Sequence, residues 1–238
     1  MTGQPPPPPP PTRESGAPLV RPRDAATLIV YRRRRGRIEV LVGERHQRHR
    51  FLPQRYVFPG GRVDPEDARV RIAAPLRADV ACQLARRIAP ARGRAAAAAA
   101  LRETFEETGL IVGAPDPAPG AAVPGSWRGF FAGGLAPAVD RLVYVARALT
   151  PPSRPIRFDA RFFMVDSVHV TGTLEGSGEL LDLHYVPIDE ARRLELPMIT
   201  AKVLAEIADL LAYPPSADAD RPIPFFKHVG PTHLRILE

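Results

Sequence analysis

The 238-residue chain contains one cysteine, Cys82, so no disulfide can close within it, and nothing in its cysteine usage points to an oxidising compartment. No apolar run approaches the roughly 20 residues needed to span a bilayer, and no apolar signal core follows Met1. The expectation is an intracellular, cytoplasmic protein without a membrane partner. Lysine is almost missing. Lys202 and Lys227 are the only two among 33 Lys and Arg residues, so the formal charge of +7 rests on arginine, whose planar fork suits phosphate. Charge alone narrows the partner only to something anionic. The six histidines show no metal-ligand spacing, and His46 and His49, three apart, read as solvated imidazoles.

What is present is a globular composition, with 45% hydrophobic and 25% charged residues, compatible with one sizeable core. Pro5 to Pro11 is an unbroken proline run that excludes helix and central strand, so residues 1–22 are expected to be a disordered proline-rich tail and 23–238 the folded domain. Ala25 to Tyr31 and Ile38 to Val42 read as a strand hairpin whose tip carries Arg32 to Arg35, a solvated end in preference to a phosphate-docking patch. Helices are expected over Pro75 to Ile88 and over the alanine-rich Ala95 to Thr108, the latter closed by Gly109. Proline and glycine dominate from Gly113 to Gly134, a long loop that Trp127, Phe130 and Phe131 should tether to the body. Short strands near 142–146, 162–165 and 183–186 and helices over 188–194 and 200–211 complete an interspersed pattern, which implies an α/β or α+β sandwich.

At about 100° per residue, Glu103, Glu106 and Glu107 share one face of the second helix, about 100° wide. Like charges so close repel, and no lysine lies within one turn to relieve them. Such a face is either an ordinary solvated acidic surface or half of a site for a hard divalent cation, which takes oxygen ligands and bridges to substrate phosphates. Upstream, Phe58-Pro59-Gly60-Gly61-Arg62 ends a strand in a glycine pair, which permits the close backbone approach that a phosphate-binding turn needs.

With these residues in place the chain resembles the Nudix hydrolase family, whose box reads G-x5-E-x7-R-E-U-x-E-E-x-G-U with U a bulky aliphatic residue. Gly61 matches the first glycine, and Arg102, Glu103, Glu106, Glu107, Gly109 and Leu110 match the second half in register. Asp67 stands at the first box glutamate and Thr104 at an aliphatic position. Residues 68–101 separate Asp67 from Arg102 where the box has seven, an excess of about 27 residues that makes room for the Pro75 to Ile88 helix. This layout, an insertion over about 68–94, is similar to a branch of the family related to peroxisomal coenzyme A diphosphatases. The likeness extends to Phe51-Leu52-Pro53, Tyr56 to Gly61, Thr150-Pro151-Pro152 and Arg157 to Phe163.

The resemblance implies an α/β/α sandwich around a mixed β-sheet and a metal-dependent cleavage of a diphosphate linkage in a nucleoside diphosphate derivative, with coenzyme A or acyl-CoA favoured. It implies Mg2+ or Mn2+ held by Glu103, Glu106 and Glu107, with Arg102 pairing a box carboxylate, and a small phosphorylated molecule as partner. Glu103 itself or a loop carboxylate, Glu175 or Glu179, is the candidate general base, and Arg45, Arg157, Gly60 and Gly61 are the candidate substrate contacts. The competing readings are a nucleotide-sensing module of the same fold without turnover and an RNA-binding protein. The retained, mutually repelling carboxylates speak against the first, and the absence of a nucleic-acid motif against the second. The oligomeric state stays open, a homodimer being one option.

Overall fold

The computed structural model describes residues 20–46, 54–213, 218, 220–229 and 232–238. The proline run, Phe51-Leu52-Pro53 and His49 lie outside them.

The chain opens on β1 (Arg23–Arg34) and β2 (Arg37–Arg45), paired antiparallel with Tyr31 opposite Val40 and Arg34 opposite Arg37. At the tip between them Arg35 and Gly36 take positive φ, the turn geometry that lets two twisted strands reverse. The tip arginines are partly engaged within the fold: Arg32 Nε meets Glu39 at 2.6 Å, and Arg33 Nη2 donates to the Leu211 carbonyl at 3.1 Å.

Two short strands follow, β3 (Tyr56–Val57) on β2 and β4 (Gly60–Arg62) on β1. Next come α1 (Ala78–Ala85) and the long α2 (Pro90–Thr108). The first helix is shorter than the apolar spacing from Pro75 to Ile88 suggested, because Arg77 stays extended and the helix closes at Arg86. The second starts five residues earlier than Ala95, since Pro90 sits at the first helical position, where its missing N–H costs nothing.

Within the proline- and glycine-rich stretch, β5 (Gly113–Pro115) pairs with β6 (Leu135–Pro137), and α3 (Arg128–Phe131) lies between them. Trp127, Phe130 and Phe131 are buried, so the tether expected there is present. After this come β7 (Val143–Leu149), β8 (Phe158–Asp166), β9 (Leu180–Pro187), α4 (Ile188–Ala191), α5 (Met198–Ala212), β10 (Pro224–Val229) and β11 (Thr232–Leu237).

Nine strands form one mixed sheet in the order β11-β10-β7-β8-β1-β2-β3, with β4 on β1 and β9 on β2; β1 and β8 run parallel. Side chains alternate across it with the period of two that strands impose. Leu28, Val30, Leu41, Phe163 and Val165 face a core shared with α1 and α2. Ile29, Val40, Val42, Phe162 and Met164 face a second core shared with α5. The result is the expected mixed α/β sandwich. Ala95 to Ala100 are all buried, and their small side chains bring α2 close to the sheet. Among the described residues no helix is long and apolar enough to cross a membrane.

Candidate active site

The glycine pair of β4 lies under the acidic face of α2. Strand pairing sets Gly60 opposite Thr27 and Gly61 opposite Ala26. A Cβ on Gly60 would fall 2.4 Å from the Ala26 carbonyl oxygen, and one on Gly61 would fall 2.4 Å from the Glu103 carboxyl carbon. At Gly61 the bare backbone makes room for the Glu103 carboxylate, whereas at Gly60 both the φ of 157°, which side chains rarely adopt, and the close β1 backbone call for glycine. The Gly60 N–H donates to Glu107 Oε2 at 2.8 Å.

Arg102 is the hub of the face. It is 3% exposed, and the 0% exposed Asp67 grips it with both oxygens, accepting from Nε at 2.9 Å and from Nη2 at 3.0 Å. Nη2 also donates to the Arg62 carbonyl at 3.0 Å, while Nη1 lies 2.9 Å from Glu103 Oε1 and 3.0 Å from Glu106 Oε2. Asp67 is one methylene shorter than the glutamate of the box, and the tight turn Asp64 to Asp67, closed by the Asp67 N–H on the Asp64 carbonyl at 3.0 Å, carries it into reach. The Thr104 hydroxyl, buried at an aliphatic box position, donates to the Ala100 carbonyl at 2.7 Å and so leaves no unpaired group in the core.

Burial decides the electrostatics. It pushes the Glu103 carboxyl up to about 7, against the opposing pull of Arg102, and raises Glu106 for the same reason. It pushes the 4% exposed Glu107 up to about 8, opposed by the Gly60 N–H and the charge of Arg45 and reinforced by Glu103 and Glu179. Among the described residues no three His, Cys, Asp or Glu side chains form a ready-made metal cluster. Arg102 holds Glu103 and Glu106, and Gly60 holds Glu107. The donor set nonetheless suits a hard divalent cation in kind, being three carboxylates on one helix face whose burial penalises their own charge.

Arg45 ends β2, opposite Leu180 of β9, and the His46 N–H donates to the Glu179 carbonyl at 3.3 Å. The charges of Arg45 and Glu179 act on the Glu107 carboxyl, Gly60 is hydrogen-bonded to it, and Gly61 lies against Glu103. The glycine-rich segment carrying Glu175 and Ser177 rests on the end of α2, with the Glu175 N–H on the Thr108 carbonyl at 2.9 Å. An open cleft of ≈ 420 Å³ lies between Phe105, Glu106, Gly109, Thr173, Glu175 and Ser177.

Arg157 is not brought to this cluster. It is buried at the start of β8, with Nε on the Thr150 carbonyl at 3.1 Å and Nη1 on the Val20 carbonyl at 2.8 Å, so its guanidinium fastens chain to chain. Reading the sequence also missed partners of the Asp64 to Asp67 turn. Trp127 Nε1 donates to Asp67 Oδ1 at 3.1 Å, and both the N–H and hydroxyl of Ser126 donate to Glu66 Oε2, at 2.8 and 2.6 Å. The available signal was that a buried indole N–H must find an acceptor.

A family model described as the NUDIX domain matches residues 21–207. Among solved structures, a NUDIX hydrolase from Alicyclobacillus acidocaldarius is 30% identical, with TM-score 0.63 over 80% of this chain and 93% of that one. The MutT protein from Methanosarcina mazei Go1 is 14% identical, with TM-score 0.48 over 81% and 97%. The NUDIX domain of Shewanella oneidensis NrtR, crystallised with ADP ribose, is 9% identical, with TM-score 0.46 over 81% and 90%. No curated protein matched the chain.

Proposed function

The chain belongs to the Nudix family and is a pyrophosphohydrolase, and on that premise we propose that it is a metal-dependent hydrolase of a nucleoside diphosphate derivative, with coenzyme A or an acyl-CoA as the favoured substrate. The observation that carries the reading is the carboxylate face of α2, seated on Gly60 and Gly61 of β4 and cross-linked by Arg102. Glu103, Glu106 and Glu107 are assigned to Mg2+ or Mn2+. A cation bound there supplies charge neutralisation of the diphosphate and a more acidic water.

In the reaction, water adds to one phosphorus, the bond from that phosphorus to the bridging oxygen breaks, and the bridging oxygen leaves on the other phosphate. The water proton passes to Glu179 or Glu103. Arg45, beside Glu107 and Glu179, is assigned to the substrate's anionic oxygens, where a guanidinium makes paired hydrogen bonds. Arg102 acts on the carboxylates rather than on substrate, since its donors are occupied by Asp67, Arg62, Glu103 and Glu106. We read residues 23–238 as one domain and 68–94 as an insertion within the box. The preference for coenzyme A rests on that box layout and its likeness to the coenzyme A diphosphatase branch.

The test is turnover of coenzyme A, acyl-CoA, nucleotide sugars, dinucleoside polyphosphates, NADH and oxidised nucleotides with Mg2+ or Mn2+. Cleavage of coenzyme A ahead of the others is the expected result. No turnover of any diphosphate with either metal overturns the reading, and preference for another compound overturns the substrate alone.

A further inference from the structure

Trp127 is the protein's single tryptophan, is wholly buried, and ends the one-turn helix Gly125–Trp127, outside both halves of the box. Its ring is held edge-on by Phe130 and Phe131, with centroids 5.3 and 6.4 Å away. A phenyl ring could keep the edge-on stacking, though it would fill less of the space than the indole. What a phenyl ring cannot supply is the Nε1–H, and it points at the most buried carboxylate of the site.

Each oxygen of Asp67 receives two donors. Oδ1 accepts from Arg102 Nε at 2.9 Å and Trp127 Nε1 at 3.1 Å, and Oδ2 accepts from Arg102 Nη2 at 3.0 Å and the Asp64 N–H at 2.7 Å. A carboxylate fixed at four points presents one orientation to the arginine. Arg102, gripped on that side, has Nη1 left to meet Glu103 and Glu106. The adjacent Ser126 donates twice to Glu66, so the same loop holds Glu66 and Asp67, two of the three acidic residues of the turn.

We propose that Trp127 is a positioning residue for the carboxylate face of α2, acting through Asp67 and Arg102 on Glu103 and Glu106. The proposal rests on the metal-site reading above. It gives the Gly113 to Gly134 stretch a function: the loop holds Glu66 and Asp67 and, through Asp67 and Arg102, acts on the carboxylates of α2. Partners of this kind typically change metal affinity or activity by about 10–100-fold when removed.

The test is Trp127→Phe, which keeps the buried ring and removes the donor. The expected result is kcat lowered about tenfold with KM nearly unchanged, and a half-saturating concentration of Mn2+, read without substrate from the free-ion electron paramagnetic resonance signal, raised about tenfold. Unchanged kcat and Mn2+ binding per folded molecule, with only a lower unfolding midpoint, mean that the ring merely packs and overturn the proposal.

The single indole also allows a reading without mutating it. Mg2+ alone should shift the one indole N–H resonance of the 15N-labelled wild type. That shift should vanish in Arg102→Lys at saturating Mg2+, because lysine cannot span Asp67 and both glutamates. A wild type that binds Mg2+ and cleaves diphosphates without any indole shift overturns the relay and leaves the metal site standing. A wild type that neither binds Mg2+ nor cleaves diphosphates overturns the site reading and the proposal with it.

Discussion

Replacing Glu107 by Gln removes one charge and little else, because glutamine keeps the side-chain length and an oxygen for the Gly60 N–H. The charge it removes is costly in the metal-free protein, since Glu107 is 4% exposed and burial raises its carboxyl from 4.5 to about 8. At about 1.4 kcal/mol per unit the gap sets an upper bound of roughly 5 kcal/mol, and coupling to Glu103 and Glu179 makes about 2–4 kcal/mol a fairer expectation for one substitution. The sign follows from proton binding. The folded state holds this proton more tightly than the unfolded chain, so the stability it brings is complete below pH 4.5 and is lost as pH rises toward 8. Metal-free wild type should therefore weaken between about pH 5 and 8.5, whereas Glu107→Gln should weaken less. Thermal unfolding in chelator should show the variant more stable at pH 8.5 by several degrees, at about 2–4 °C per kcal/mol for a domain of this size.

Turnover should move the other way. If Glu107 holds a catalytic cation, Gln at that position should lower kcat by about 100-fold or more in saturating Mg2+, since the cation stabilises charge in the transition state by several kcal/mol. Added Mg2+ should raise the unfolding midpoint of wild type and leave the variant nearly unmoved. Full turnover in the variant refutes the metal assignment. A variant no more stable than wild type at pH 8.5 without metal refutes the burial argument independently.

Gly61→Ala is expected to lower turnover by about 100-fold at small cost in stability, because its Cβ displaces the end of the Glu103 side chain rather than backbone; Gly133→Ala, with nothing within 4 Å, should be neutral in both assays. Deleting residues 1–22 removes the Val20 carbonyl that accepts from buried Arg157 and should lower stability by about 1–2 kcal/mol. A chain beginning at Val20 keeps that bond, and equal unfolding midpoints for the two truncations would refute the role given to Arg157. Asp182 sits at φ 47 where the β2–β9 register shifts, and accepts from the Tyr56 hydroxyl at 2.7 Å. Asp182→Gly should therefore retain most turnover, while Asp182→Val, unable to hold that angle cheaply, should lose it by displacing Glu179 and Arg45, and equal kcat values would refute this.

Much of the fold was legible because it depends on local periodicity. The apolar runs Ala25 to Tyr31 and Phe162 to Val165, the alanine-rich Ala95 to Thr108 and the helical stretch Thr200 to Leu211 each appear as elements with ends shifted by a few residues. The β10–β11 hairpin was not foreseen, and the strand expected to end in the glycine pair appears as two short pieces, β3 and β4, held by their pairing to β2 and β1. Arg157 shows the same limit from the other side. Its neighbours Phe158 to Phe163 suggested a functional segment, yet the carbonyls that occupy its guanidinium, from Val20 and Thr150, come from chain turns that no spacing in the sequence reveals.

The carboxylate face marks where such reading stops. Helical period alone places Glu103, Glu106 and Glu107 on one side of α2, but it leaves each glutamate's rotamers free, and those are set by partners elsewhere in the chain. Glu107 is aimed by the Gly60 N–H, Glu103 is accommodated by the bare Cα of Gly61, and Glu103 with Glu106 is drawn to Arg102. Arg102 is aimed in turn by Asp67, and Asp67 by Asp64 and Trp127. A hard cation binds three oxygens only if they arrive together, so the sequence sets the proposed ligands on one helix and distributes their geometry over β4, the turn at Asp64 and a loop some 60 residues further on. On that account, substitutions at Trp127 or Gly61 should act on metal affinity more than on folding, which for the wholly buried Trp127 is the opposite of what burial alone would assign.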